Sequence, residues 1–126
     1  MSDRRVSVLI VDDQAPFRSA ARAVVSMTPA FEVMDEAESG EEAVRKAAEQ
    51  EPDFVLMDIN LGAMSGIEAA RIIHERRPQT VIVLVSTYQA DDLPADARTC
   101  GAIAYVHKEE LEPSTLRDVW GPHTAA

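Results

Sequence analysis

Short apolar runs alternate along the chain with longer stretches in which apolar residues return every three or four positions. VSVLIV at 6–11, FEVMDE at 31–36, FVLMD at 54–58, VIVLVS at 81–86 and AIAYVH at 102–107 predict five strands. The first, third and fourth runs are apolar at nearly every position, the pattern of strands buried on both faces in a parallel sheet covered by helices. Helical periodicity predicts helices over 15–27, 40–50, 66–76, 91–100 and 113–120. Strand and helix in alternation give five βα units, an α/β fold and a single doubly wound domain.

Local signals agree with this division. Pro16 suits a first helical turn, after which Phe17, Ala20, Ala21, Val24 and Val25 recur at helical spacing. Ser39 with Glu42, and Ser65 with Glu68, match the S-x-x-E capping box. Pro52 and Pro78 separate the second and third helices from the strands that follow. Pro94 falls inside the fourth predicted helix and would cost it a hydrogen bond, so a short or displaced helix is expected there. Gly121 and Pro122 predict that the last helix stops soon after Trp120 and leaves a short tail at 121–126. Trp120 itself is expected to pack at the end of the domain.

Composition narrows the function. The 126 residues suit one domain with a real core, and 46% hydrophobic content excludes a mainly disordered chain. Twelve basic against 22 acidic residues give a formal charge of −10, which opposes direct binding to nucleic acid or to an anionic membrane. The N-terminus reads as neither a secretory signal nor a membrane span, so a cytoplasmic protein is expected. Cys100 is the only cysteine, which rules out an intrachain disulfide.

The candidate chemistry lies where the strands end. Asp12 and Asp13 follow the first strand, Asp58 closes the third, Ser86 closes the fourth and Lys108 follows the fifth. Open α/β sheets place their sites in the crevice outside the carboxyl ends of the strands, where these residues would meet. Acids after strands also occur simply because loops are solvated; the combination of acids, a hydroxyl and a lysine at four strand ends favours a site. Two unit charges at about 4 Å repel by about 1 kcal/mol in water and about 4 kcal/mol at an effective dielectric of about 20. A hard cation such as Mg²⁺ offsets this and accepts phosphate oxygens as further ligands, and Lys108 supplies a second positive charge. A carboxylate can attack phosphorus when charge on the transferring group is relieved, and Asp58, standing alone, is the candidate nucleophile.

These residues carry a resemblance to the receiver (CheY-like) domain of bacterial two-component response regulators, over nearly the whole chain. The family's acidic pair appears as VDDQ, its phosphoacceptor loop as MDINLGAMSG, its hydroxyl residue as LVST and its lysine as YVHK, in the family's order and with separations that fit a receiver without insertions. The resemblance implies a flavodoxin-like (βα)5 fold with a five-stranded parallel sheet in the order 2-1-3-4-5. It implies that Asp58 accepts a phosphoryl group from a phosphohistidine of a sensor histidine kinase or phosphotransfer protein. It further implies that Asp13 binds Mg²⁺ directly, that Asp12 holds it mostly through water, and that Asn60 contributes its backbone carbonyl.

Ser86, with Thr87 as the competing hydroxyl, and Lys108 would then contact the phosphoryl oxygens. Tyr105 matches the family's switch aromatic. The surface of the fourth helix, fifth strand and fifth helix would change on phosphorylation and bind a downstream partner, an output domain or a second copy. Such a chain is a signalling phosphoacceptor that catalyses only its own phosphotransfer and slow autodephosphorylation. Two departures stand out: Gly62 where the family usually has proline, and Glu109 after Lys108 where many members have proline.

Two other readings compete. Phosphatases of the haloacid dehalogenase type also use an aspartate nucleophile with Mg²⁺ on a doubly wound sheet, but they place it as D-x-D after the first strand, where this chain has adjacent Asp12 and Asp13. A receiver fold could also serve as a phosphorylation-independent binding module; the complete acidic set argues against that. No output domain is expected within the 126 residues.

Overall fold

The computed structural model describes residues 5–87 and 93–124. Five strands, β1 (Val6–Val11), β2 (Phe31–Ala37), β3 (Phe54–Asp58), β4 (Val81–Ser86) and β5 (Ala104–His107), form one sheet. Its order is β2-β1-β3-β4-β5 with every pair parallel, the predicted doubly wound topology. Helices α1 (Ala15–Met27), α2 (Gly40–Gln50), α3 (Gly66–Arg76) and α4 (Pro113–Thr124) cover it, with 3₁₀ turns at Ala95–Arg98 and Lys108–Glu110.

Strand geometry sends alternate side chains to opposite faces, and here both faces are covered. Leu9, Val11, Val55, Met57, Ile82 and Leu84 meet α2 and α3 through Ala43, Ala47, Ile67, Ala70 and Ile73. Val8, Ile10, Phe54, Leu56, Val83 and Val85 meet α1 and α4 through Ala21, Val25 and Leu116. Burial on both sides explains why β1, β3 and β4 are apolar at every position but Ser7, Asp58 and Ser86. Trp120 stacks edge-on against Phe31 and at a tilt against Phe54, closing one end of the second core as expected for a packing residue.

The serine half of each predicted capping box is realised, while Glu42 Oε1 accepts the Glu38 N–H instead of that of Ser39. Ser39 Oγ accepts the Glu42 N–H and Ser65 Oγ the Glu68 N–H, each at 3.1 Å. At the opposite edge of the sheet, Asp53 Oδ2 accepts both the backbone N–H and the hydroxyl of Ser7, tying the start of β3 to β1.

Two elements differ from the sequence reading. The fourth helix shrinks to the 3₁₀ turn Ala95–Arg98: Pro94 precedes it and accepts the Ala97 N–H, and Gly101, at φ +101°, turns the chain away. Too few residues lie between that proline and that glycine for an α-helix to propagate. Positions 91 and 92 of the predicted helix, and Tyr88, lie outside the described residues. The last helix instead runs through Gly121 and Pro122 to Thr124. Packing of Leu116, Val119 and Trp120 against the sheet carries it past two residues whose local preference is to stop it. Among the described residues no helix is long and apolar enough to cross a membrane.

Candidate functional site

Parallel register decides which residues meet. Val11 lies opposite Met57, Asp58 opposite Val85 and Ser86 opposite His107, so β1, β3, β4 and β5 end at one edge. The residues that close or follow these strands converge there. Carboxylate oxygens of Asp12, Asp13 and Asp58 all lie within 4.8 Å of one another. Asp12 is fully buried and Asp58 is 5% exposed, whereas Asp13 faces solvent.

Each acid is held differently. Asp12 Oδ1 accepts the Gln14 N–H at 2.8 Å, which ties it to the entry of α1. Asp12 Oδ2 forms an ion pair with Lys108 Nζ at 2.7 Å but receives no hydrogen bond of good geometry. The Asp58 carboxylate accepts the backbone N–H of Asn60 and lies 3.7 Å from Lys108 Nζ. The lysine ammonium also sits 4.5 Å above the centre of the Phe17 ring. That cation–π contact fixes the head of a long side chain beside two acids.

Electrostatics follow from the crowding. Burial, with the neighbouring Asp12 and Asp13 charges adding to it, pushes the Asp58 carboxyl from its ordinary 3.8 up to about 6, against the opposing pull of Lys108 and the Asn60 N–H. A lone lysine therefore does not neutralise the pocket. A buried Asp12 oxygen without a well-formed hydrogen bond, beside two further carboxylates, matches the oxygen-rich donor set of a hard divalent cation.

Glycines shape the loop around Asp58. A Cβ on Gly66 would lie 1.9 Å from the Asp58 carbonyl oxygen, so α3 can start against the end of β3 only without a side chain there. The Gly66 N–H donates to the Ile59 carbonyl at 2.8 Å and closes the loop. Gly62 adopts φ +89°, which proline, fixed near −65°, cannot reach. A proline at this position would require a different turn.

On the other side of Asp58, Ser86 is almost fully buried and its side chain is hydrogen-bonded to the Tyr105 hydroxyl. Tyr105 is half-buried, and its phenol is raised above the ordinary range, chiefly by burial. Thr87 is exposed, and its carbonyl pairs with His107 Nε2 at 3.0 Å. His107 Nδ1 accepts the Glu109 N–H, so the tautomer consistent with both bonds carries its proton on Nε2.

The structure thus brings together Asp12, Asp13, Asp58, Ser86, Lys108 and the Asn60 backbone, with Tyr105 one bond removed. Phe17, Arg18, Gly66 and His107 also shape the site, and sequence pattern singles out none of them for it. Phe17 counts as one more apolar position of α1, and only its neighbour across the chain, Lys108, reveals the second role. A separate cavity of about 360 Å³, lined by residues including Val44, Ile73, Arg77 and Thr80, lies between α2 and α3 near the start of β4, away from the acids.

Comparison with known proteins agrees with this geometry. The family described as "Response regulator receiver domain" matches residues 8–119. The chain is 31% identical over 109 residues to the transcriptional regulatory protein DegU of Brevibacillus brevis, covering 86% of this chain and 46% of that protein. It is 40% identical over 107 residues to protein-glutamate methylesterase/protein-glutamine glutaminase 2 of Carboxydothermus hydrogenoformans, covering 84% of this chain and 30% of that protein. The chain therefore spans less than half the length of these curated relatives. Among solved structures it is similar to the response regulator domain of Thermotoga maritima CheB, with TM-score 0.85 and 28% identity over 98% of this chain and 99% of that one. A LuxR-family two-component response regulator from Aurantimonas sp. SI85-9A1 gives TM-score 0.82 and 30% identity, over 94% of this chain and 84% of the other.

Proposed function

We propose that this chain, which belongs to the response regulator receiver domain family, accepts a phosphoryl group on Asp58 in a Mg²⁺-dependent reaction and passes the change to a partner. The observation that carries this reading is the convergence of Asp12, Asp13 and Asp58 within 4.8 Å beside Lys108. The 126 residues are read as one receiver domain. Partners of the matching chemistry are a sensor histidine kinase or phosphotransfer protein upstream, and a downstream protein, output domain or second copy. A cytoplasmic location follows from that chemistry.

Asp13, Asp12 and Asp58, with the Asn60 carbonyl, would hold Mg²⁺, which when bound offsets the charge of the acids and of the incoming phosphoryl oxygens. A carboxylate oxygen of Asp58 attacks phosphorus while the bond to the donor imidazole breaks and the electron pair leaves with its nitrogen. The Asn60 N–H and the fixed backbone at Gly66 orient that carboxylate. Lys108, held between Asp12, Asp58 and the Phe17 ring, is close enough to meet an equatorial oxygen.

Ser86 supplies the link to output. Its hydroxyl carries one proton, which it can give to Tyr105 or to a phosphoryl oxygen on Asp58 but not to both. Adding that doubly charged group biases the choice towards the phosphate and releases Tyr105. The surface that senses the change comprises the 3₁₀ turn Ala95–Arg98, β5 and α4, the counterpart here of the predicted fourth helix, fifth strand and fifth helix.

The test is incubation with acetyl phosphate and Mg²⁺ followed by intact mass spectrometry of wild type and D58N. One phosphoryl adduct, lost in D58N and without chelatable metal, is expected. Absence of any adduct on the wild type would leave the binding-module reading, and repeated turnover of phosphate esters would favour the phosphatase.

A further inference from the structure

We infer that Arg18 is a positioning residue for the metal-binding acids, clamping the peptide that joins Asp12 to Asp13 against strand β2. The inference rests on the Mg²⁺-dependent reading above. Arg18 Nη1 donates to the Asp12 carbonyl oxygen at 2.7 Å, and Nε donates to Glu36 Oε1 at 3.2 Å. The side chain is 15% exposed, so both bonds are shielded from competing water. Glu36 is itself fixed: Arg22 pairs with its other oxygen, and Lys46 Nζ donates to its backbone carbonyl at 2.6 Å. The clamp therefore ends on a rigid strand rather than on solvent.

The consequence follows from peptide planarity. Asp12 C=O and Asp13 N–H belong to one rigid unit, so holding the oxygen sets the direction in which the chain enters Asp13. The Asp12 N–H is already fixed to the Ala37 carbonyl at 3.1 Å, and Asp12 Oδ1 to the Gln14 N–H. With Arg18 added, both peptides flanking Asp12 are pinned. Asp13, the exposed acid assigned the direct metal contact, is placed by the peptides on its two sides, the one held by Arg18 and the one whose Gln14 N–H is bonded to Asp12 Oδ1.

Arginine is required for the geometry rather than for its charge alone. Its planar fork reaches a carbonyl and a carboxylate together, whereas a lysine offers one nitrogen at the end of a flexible stem. Partners that orient metal ligands without touching the metal are worth 10- to 100-fold in affinity. The lower end suits a bond acting through a peptide plane.

The experiment is titration of the intact chain with MgCl₂, following the Asp13 backbone amide by NMR, for wild type, R18M, R18K and R22M. R22M removes a cation from the same Glu36 without touching Asp12. It serves as the control for lost stability, and thermal midpoints are recorded for all four. The expected result is Mg²⁺ affinity about tenfold weaker in R18M, weakened also in R18K, and within twofold of wild type in R22M. Wild-type affinity in folded R18M or R18K, or an equal loss in R22M, overturns the positioning role. Should R18M not fold, R18K decides. Failure of the wild type to bind Mg²⁺ at these acids would refute the metal site itself, a result distinct from either outcome for Arg18.

Discussion

Gly66 lies so close to the Asp58 carbonyl oxygen that a Cβ would stand 1.9 Å away from it. The obstruction is backbone, which cannot swing aside as a side chain does. G66A must therefore move the start of α3 or the end of β3. Overpacking of this kind costs about 1–3 kcal/mol, to be read from urea unfolding. Because the obstructing atom is the Asp58 carbonyl oxygen itself, phosphorylation by acetyl phosphate should fall by more than the loss of folded protein explains.

Asp58 also sets a pH dependence. Its folded value of about 6 lies above the ordinary 3.8, so the folded state holds this proton more tightly than the unfolded chain. The contribution is fully present below about pH 3.8 and is lost as pH rises through about 6. In metal-free buffer D58N should therefore be more stable than wild type at pH 8, by on the order of 2 kcal/mol, and the gap should close towards pH 4. Mg²⁺ should reduce the gap at pH 8 and bind progressively more weakly below pH 6, as measured by thermal unfolding at graded pH with and without the ion.

Lys108 pairs with buried Asp12 and stands near Asp58, so K108M leaves two buried acids without their cation. Breaking such a pair typically costs about 3–5 kcal/mol. A lower thermal midpoint is expected in metal-free buffer, with partial recovery on adding Mg²⁺. Mg²⁺ affinity should rise because a competing positive charge is gone, while the phosphoryl adduct should nearly disappear. Opposite movement of binding and phosphotransfer, measured by calorimetry and intact mass, is the signature.

The Tyr105–Ser86 hydrogen bond opposes movement of Ser86 towards Asp58. A net bond strength of about 1 kcal/mol corresponds to about fivefold in an equilibrium. Y105F should bind beryllofluoride with Mg²⁺ up to about that much more tightly, and S86A more weakly than wild type. Equal affinities in all three would separate Ser86 from the switch.

Much of this protein can be read along the chain. The strands announce themselves because burial on two faces leaves β1, β3 and β4 apolar at all but one position each, and Ser39 and Ser65 mark helix starts because their hydroxyls have backbone N–H groups to satisfy. Asp12, Asp13, Asp58, Ser86 and Lys108 could be picked out because each ends or follows a strand and parallel strands share one edge. Local preference failed where distant packing was stronger: Trp120 meets Phe31 and Phe54, and α4 continues past Gly121 and Pro122.

Sequence by itself determined the alternation of elements, the apolar faces and the set of acids available at the strand ends, since these depend on periodicity and on neighbours within a few residues. Only the tertiary structure decided how that set is arranged. Lys108 rests on Phe17 and pairs most closely with Asp12, Ser86 is bonded to Tyr105, and Arg18 reaches across from α1 to hold the Asp12 peptide against Glu36. Each of these joins residues brought together by sheet register and helix packing, distances that no local pattern encodes.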